Sequence, residues 1–169
     1  GVNALIAMPA ATDPVRVEGC KAMGADIVLT DTIGDAFEVM NREAAENGRV
    51  LMHPYDAEHM TLGAGVIGAE FAEQAPQAEV FVIPVGGGGL ISGMASAIKQ
   101  LRPGTEIIGV EPTGADSLSQ SLAEGAAVRL ERVNTIADSL GAPYALPYSF
   151  GVAAAYVDDR DADLFLVVA

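Results

Sequence analysis

The sequence predicts an α/β fold of parallel sheets flanked by helices, and three observations predict it. Short apolar runs alternate with stretches of helical spacing along most of the 169 residues. The connections between them are brief and rich in turn residues. The apolar runs are continuous rather than alternating, which is the pattern of strands covered on both faces of a parallel sheet. Half of the residues are hydrophobic, enough for the buried core of one domain or one and a half.

The first apolar run, ALIAMP at 4–9, is read as a buried strand. A helix follows, with Asp13 as N-cap, Pro14 at its first position and Gly24 as its stop. DIVLT at 26–30 is the next strand, GDAFEVMNREAAENG at 34–48 a helix closed by Asn47-Gly48, and RVLMHP at 49–54 a third strand. A break near HPYDAEHM separates two sheets, so residues 1–54 read as part of a smaller α/β domain and 55–169 as part of a larger one. The pattern restarts with helical spacing over 59–75, a segment that carries Gly63, Gly65 and Gly68. Each glycine weakens a helix by roughly 1 kcal/mol relative to alanine, which points to a helix pressed against another backbone. EVFVIPV at 79–85 is a strand, 90–101 a helix, IIGVEP at 107–112 a strand, and 115–125 a short helix ended by Gly125. The stretch TIADSLGAPYALPYSF at 135–150 is rich in Pro and Gly and reads as an irregular loop. Right-handed crossovers are expected throughout.

The formal net charge of -14 repels phosphate backbones and anionic lipid surfaces, so neither a nucleic acid nor a membrane is expected as a partner. No apolar run approaches the roughly 20 residues of a membrane span. No signal peptide is visible, and a cytoplasmic location is expected. The single cysteine, Cys20, sits in a helical pattern and excludes a disulfide framework. The chain begins on Gly1 inside a strand-like run and ends on LFLVVA, so a piece of a larger protein is expected.

One stretch points to a ligand. Gly86, Gly87, Gly88 and Gly89 stand between a buried strand and a helix beginning near Leu90. Open α/β sheets bind ligands beyond the carboxyl ends of their strands. Successive backbone N–H groups there form an anion-binding concavity, and the helix N-terminus adds partial positive charge. Leu90-Ile91 follow where a P-loop needs Lys and a hydroxyl, and no GxGxxG with a following acid is present. A monophosphate held by backbone alone fits, as in a phosphorylated cofactor; a tight strand-to-helix turn without a ligand is the alternative.

VIPVGGGGLISG, IIGVEPTGADS and TIADSLGAPYALPYSF, in this order, resemble the serine/threonine dehydratases, fold-type II enzymes of pyridoxal 5'-phosphate that include serine racemase. LIAMPAATDPVRVEGCKAMGADIVL and MHPYD resemble the smaller domain and crossover of that family, and the likeness runs to about Asp159. The resemblance implies that the cofactor phosphate is held by the N–H groups of Gly86, Gly87, Gly88, Gly89 and Leu90. It implies that Ser139, where many members have glycine, packs against the cofactor ring. It implies a divalent or monovalent cation at positions matching Glu111, Ala115 and Ser117. The second acid of that set is missing, because Asp116 lies one place off, and a strand-end glutamate at a helix start is the plainer reading.

The same resemblance implies deamination of threonine or serine, by β-elimination, to a 2-oxo acid and ammonia, with a small amino acid as substrate and a homo-oligomeric parent. The family's Schiff-base lysine matches neither Lys21 nor Lys99, the two lysines present, and would precede Gly1. Lys99 would stand roughly 13 Å along its helix from the glycines. No catalytic residue is therefore assigned here, and the chain alone is expected to be inactive. His53 and His59 are read as structural, and the tail RDADLFLVVA departs from the family pattern. Two alternatives stay open: another fold-type II racemase or ammonia-lyase, or a degenerate, non-catalytic phosphate-binding module.

Overall fold

The computed structural model describes residues 2–158 and 166–168. The chain divides into two compact units, Gly1–Leu51 and Met52–Ala169.

In the first unit, β1 (Leu5–Pro9) and β2 (Asp26–Thr30) pair in parallel, Leu5 opposite Asp26 and Pro9 opposite Thr30. The crossover between them is α1 (Pro14–Ala22), whose N-cap Asp13 accepts from the Val15 N–H. α2 (Ile33–Asn47) begins with a capping box: Thr32 and Asp35 satisfy each other's free N–H groups. It ends at Gly48 in the left-handed conformation, φ +63°. The third strand expected at 49–54 does not form. The Arg49 N–H returns to the Glu43 carbonyl, and no strand among the described residues pairs with this segment. Apolar character alone does not make a strand when no ladder partner is available.

In the second unit, α3 (Glu58–Gln74) leads to β3 (Val80–Pro84), then α4 (Gly89–Leu101), β4 (Glu106–Pro112) and α5 (Ser117–Glu124). A 3-10 turn (Asp138–Leu140), α6 (Pro147–Tyr156) and β5 (Leu166–Val168) complete it. The parallel sheet has the order β3-β4-β5. Two differences from the sequence expectation stand out. α6 occupies part of the stretch read as irregular, because Pro147 is pre-organised at a first helical position and alanines follow. β5 forms within the departing tail; residues 159–165 of that tail lie outside the described residues.

The core gathers Phe81, Ile83, Val85 and Ile107 of the β3–β4 region with Ile91, Met94, Ala95 and Ile98 of α4, Leu118 of α5 and Ala153 of α6. β3 alternates: Phe81 and Ile83 point into this core, while Val80 and Val82 are exposed. Its apolar run led to the expectation of two covered faces, but among the described residues only one is covered. α3 and α4 approach very closely. A β-carbon on Gly68 would stand 2.7 Å from the Met94 carbonyl oxygen, and one on Gly93 would stand 2.3 Å from that of Thr61. Among the described residues no helix is long and apolar enough to cross a membrane.

Candidate functional site

The site begins where the parallel sheet ends. The Val85 N–H donates to the Val110 carbonyl at 2.8 Å, so β3 and β4 finish side by side. Gly86, Gly87 and Gly88 then turn the chain from β3 into α4, whose first residue is Gly89. Gly88 sits at φ +87°, a conformation costly for any residue with a β-carbon, and its carbonyl accepts the Ser92 N–H at 3.0 Å.

Backbone crowds Gly86 and Gly89, and side chains crowd Gly87 and Gly88. A β-carbon on Gly86 would meet the Leu140 α-carbon at 3.2 Å and the Ser139 carbonyl oxygen at 3.4 Å. One on Gly87 would enter the Tyr55 ring, at 2.2 to 2.5 Å. One on Gly88 would meet the Ser149 β-carbon at 3.3 Å, and one on Gly89 the Tyr55 carbonyl oxygen at 2.8 Å. The 3-10 turn, α6 and the segment before α3 thus converge on one loop.

Gly88 and Gly89 are buried, and among the described residues no acceptor is paired with the N–H of Gly86, Gly87, Gly88, Gly89 or Leu90. Buried N–H groups are nearly always paired. Here five donors in succession, two of them on buried residues, have no acceptor among the described residues, at the N-terminus of a helix whose dipole favours negative charge. A group with several charged oxygens would satisfy them, and a phosphate fits this donor set.

The sequence reading missed four residues that shape the loop: Tyr55, Asp56, Leu140 and Ser149. His53 Nδ1 accepts the N–H groups of Tyr55 (3.3 Å) and Asp56 (2.9 Å). The imidazole stands edge-on to the Tyr55 ring, centroids 4.8 Å apart. Burial holds the His53 pKa below the ordinary histidine value, and the Asp56 carboxylate opposes that shift. The Asp56 carboxylate accepts the Ser149 N–H at 2.7 Å, capping the first turn of α6 from a distant segment. Ser92 Oγ donates to the Ser149 carbonyl at 2.8 Å, so Ser149 is gripped at both ends of its backbone. The Tyr55 hydroxyl is buried, and its ring lies 6.4 Å from that of Tyr144. Burial, reinforced by Tyr144, pushes the Tyr55 phenol well above its usual range. No local pattern announces these contacts, although HPYD is a conspicuous tetrapeptide.

Of the residues expected at the site, Ser139 does stand beside the loop: its carbonyl faces Gly86, while its hydroxyl reaches Asp138 Oδ1 at 3.3 Å. Leu90 is exposed in the first turn of α4. Glu111 and Ala115, the positions matched to a cation, lie at the end of β4 and in the turn before α5. Glu111 is fully buried at the end of β4, and its carboxylate accepts from Leu118 N (2.9 Å), Ser119 N (2.8 Å) and Ser119 Oγ (2.6 Å). It therefore caps α5, whose own N-cap Asp116 makes no side-chain cap bond. Burial raises the Glu111 pKa, and these three hydrogen bonds work against that shift. Ala115 is buried in the preceding turn, donating its N–H to the Pro112 carbonyl. Among the described residues no group of three or more His, Cys, Asp or Glu is gathered as for a metal ion. Lys99 is bound to Asp158, which also accepts the Ile107 N–H, and Lys21 pairs with Glu18.

The family model described as pyridoxal-phosphate dependent enzyme matches residues 1–166. A phenylserine dehydratase of Ralstonia pickettii is 37% identical over 158 residues, 94% of this chain and 48% of its own length. An L-threonine ammonia-lyase of Thermotoga maritima is 36% identical over 177 residues, 99% of this chain and 44% of its own. The solved structure of maize serine racemase superposes with a TM-score of 0.88 at 36% identity, covering 94% of this chain and 48% of that one. The chain spans about half the length of these relatives.

Proposed function

Because the chain belongs to the family of pyridoxal-phosphate dependent enzymes, with fold-type II enzymes as its structural neighbours, we propose that Gly86–Leu90 holds the phosphate of pyridoxal 5'-phosphate. The observation that carries this reading is the row of backbone donors at Gly86–Leu90 that have no acceptor among the described residues, with neighbours crowding Gly87 and Gly89 so closely that a β-carbon does not fit at either. Ser139 and Leu140 border the same loop on the side of Gly86 and would lie next to the rest of the cofactor.

The parent reaction we propose is deamination of a hydroxy amino acid, threonine or serine, to a 2-oxo acid and ammonia. When bound, the cofactor supplies an electron sink for the carbanion left by loss of the α-proton. The role of this stretch is to anchor and orient it. The reactive amine is not Lys99, which is fixed to Asp158 near the far end of α4. Nor does Lys21 match the family's lysine. The amine would come from elsewhere in the parent, and the 169-residue chain by itself would bind without catalysing.

The likeness to serine racemase as well as to dehydratases keeps racemisation as a second reading. Two measurements test the proposal. The chain should bind pyridoxal 5'-phosphate in preference to pyridoxal, and equal affinity for the two would count against the phosphate loop. The parent should release 2-oxobutyrate from L-threonine or pyruvate from L-serine. D-serine formed without 2-oxo acid would favour racemisation. Turnover by the isolated chain would overturn the account of its lysines.

A further inference from the structure

We propose that His53 is a positioning residue for the glycine loop, acting through the turn His53–Asp56 that its neutral imidazole holds together. This inference rests on the reading of Gly86–Leu90 as a phosphate loop.

The geometry runs in two branches from one nitrogen. His53 Nδ1 accepts the N–H groups of both Tyr55 and Asp56, at 3.3 and 2.9 Å. The first branch fixes Tyr55. Its ring covers the face of Gly87 and its backbone presses on Gly89, leaving no room for a β-carbon at either position. The second branch fixes Asp56, which accepts the Ser149 N–H at 2.7 Å. Ser149 in turn lies against Gly88, its β-carbon 3.3 Å from where one on Gly88 would be. Three consecutive glycines of the loop are therefore braced by two residues whose backbone N–H groups share one acceptor.

That acceptor exists only while Nδ1 carries no proton. A proton there turns the acceptor into a donor facing two N–H groups, and the turn loses both bonds. The Asp56 carboxylate on the same turn favours the charged ring and burial opposes it, with burial the larger. Tyr144, with the Arg129 guanidinium 5.3 Å above its ring, stands behind Tyr55 from the neighbouring segment. The neutral form is thus the working one near neutrality. It is lost only as pH falls below the ordinary histidine value of about 6.5.

The substitution His53→Asn separates positioning from mere structure, because an Asn oxygen accepts N–H groups two and three residues on and does not titrate. Affinity of the full chain for pyridoxal 5'-phosphate and for pyridoxal is measured by calorimetry at about pH 8 and about pH 5. The cofactor phosphate titrates in this range and weakens binding to both proteins. The proposal expects an additional loss of about tenfold in the wild type that His53→Asn does not show. An equal loss in both proteins overturns the role of His53 and leaves the loop reading standing. Failure of the wild type to prefer pyridoxal 5'-phosphate over pyridoxal at either pH overturns the loop reading and this inference with it. If His53→Asn does not fold, the ligand-free wild type decides by NMR. The Gly87 and Gly89 amide resonances should move with the midpoint of the His53 ring, and resonances that ignore that midpoint overturn the proposal.

Discussion

The carbonyl oxygen of Tyr55 lies 2.8 Å from the point where a β-carbon on Gly89 would stand, and the Tyr55 α-carbon lies 2.9 Å from it. Both atoms are backbone, so neither can rotate aside. Gly89→Ala should destabilise the chain by about 2 kcal/mol, read as a lower urea midpoint at unchanged slope. Affinity for pyridoxal 5'-phosphate should fall with it, because the first turn of α4 must shift to relieve the contact. Gly86→Ala should cost less, since its nearest neighbour stands 3.2 Å away and has only tenths of an ångström to give. Equal costs at the two positions would mean that backbone closeness to Tyr55 is not what demands glycine.

At Gly87 the obstacle is a side chain, the Tyr55 ring. A double-mutant cycle is therefore informative. Tyr55→Ala alone should destabilise by loss of packing, and Gly87→Ala alone by collision. Combined, the collision disappears, and the two changes should cost less than their sum by about 1 kcal/mol or more. Denaturant unfolding of the four proteins measures this coupling. Additivity would show that the ring is not the constraint on Gly87.

The helical glycines offer a prediction with opposite signs on one element. A β-carbon on Gly63 of α3 meets nothing within 4 Å, whereas one on Gly68 stands 2.7 Å from the Met94 carbonyl oxygen. Gly63→Ala should stabilise by about 0.5–1 kcal/mol, through helix propensity alone. Gly68→Ala should destabilise by about 1–3 kcal/mol, because α3 and α4 must separate. The thermal midpoint of each variant checks both signs.

The same glycines show what was legible in the sequence. Their presence in a helical pattern implies a close neighbour, and for Gly68 that holds; which glycine bears the contact depends on the facing helix and cannot be read locally. The glycine loop was legible because strand, glycines and helix are contiguous. Tyr55 and Ser149 were not, because they lie about 30 and 60 residues from the loop and touch it only through the tertiary fold. The segment 49–54 misled because its apolar residues suit a strand, yet no strand among the described residues lies beside it to complete a ladder. Pro147 misled in the other direction: a proline marks a loop or a first helical turn equally well, and here it opens α6.

Glu111 gives a pH prediction whose sign follows from its surroundings. Its carboxylate serves Leu118 N, Ser119 N and Ser119 Oγ, so Glu111→Ala should leave the start of α5 without acceptors and cost about 2 kcal/mol. Burial nevertheless raises its pKa above the ordinary value of 4.5. In the folded chain the carboxyl group thus holds its proton more tightly than in the unfolded chain. The stability it contributes is full below the unfolded value and is lost as pH rises through the folded one. The other carboxylates titrate alike in wild type and in Glu111→Gln, and cancel in the difference between them. That difference in unfolding free energy should be larger at about pH 4 than at about pH 7. A difference that shrinks on acidification would mean that the three hydrogen bonds outweigh burial, and that Glu111 is held ionised as the cap of α5.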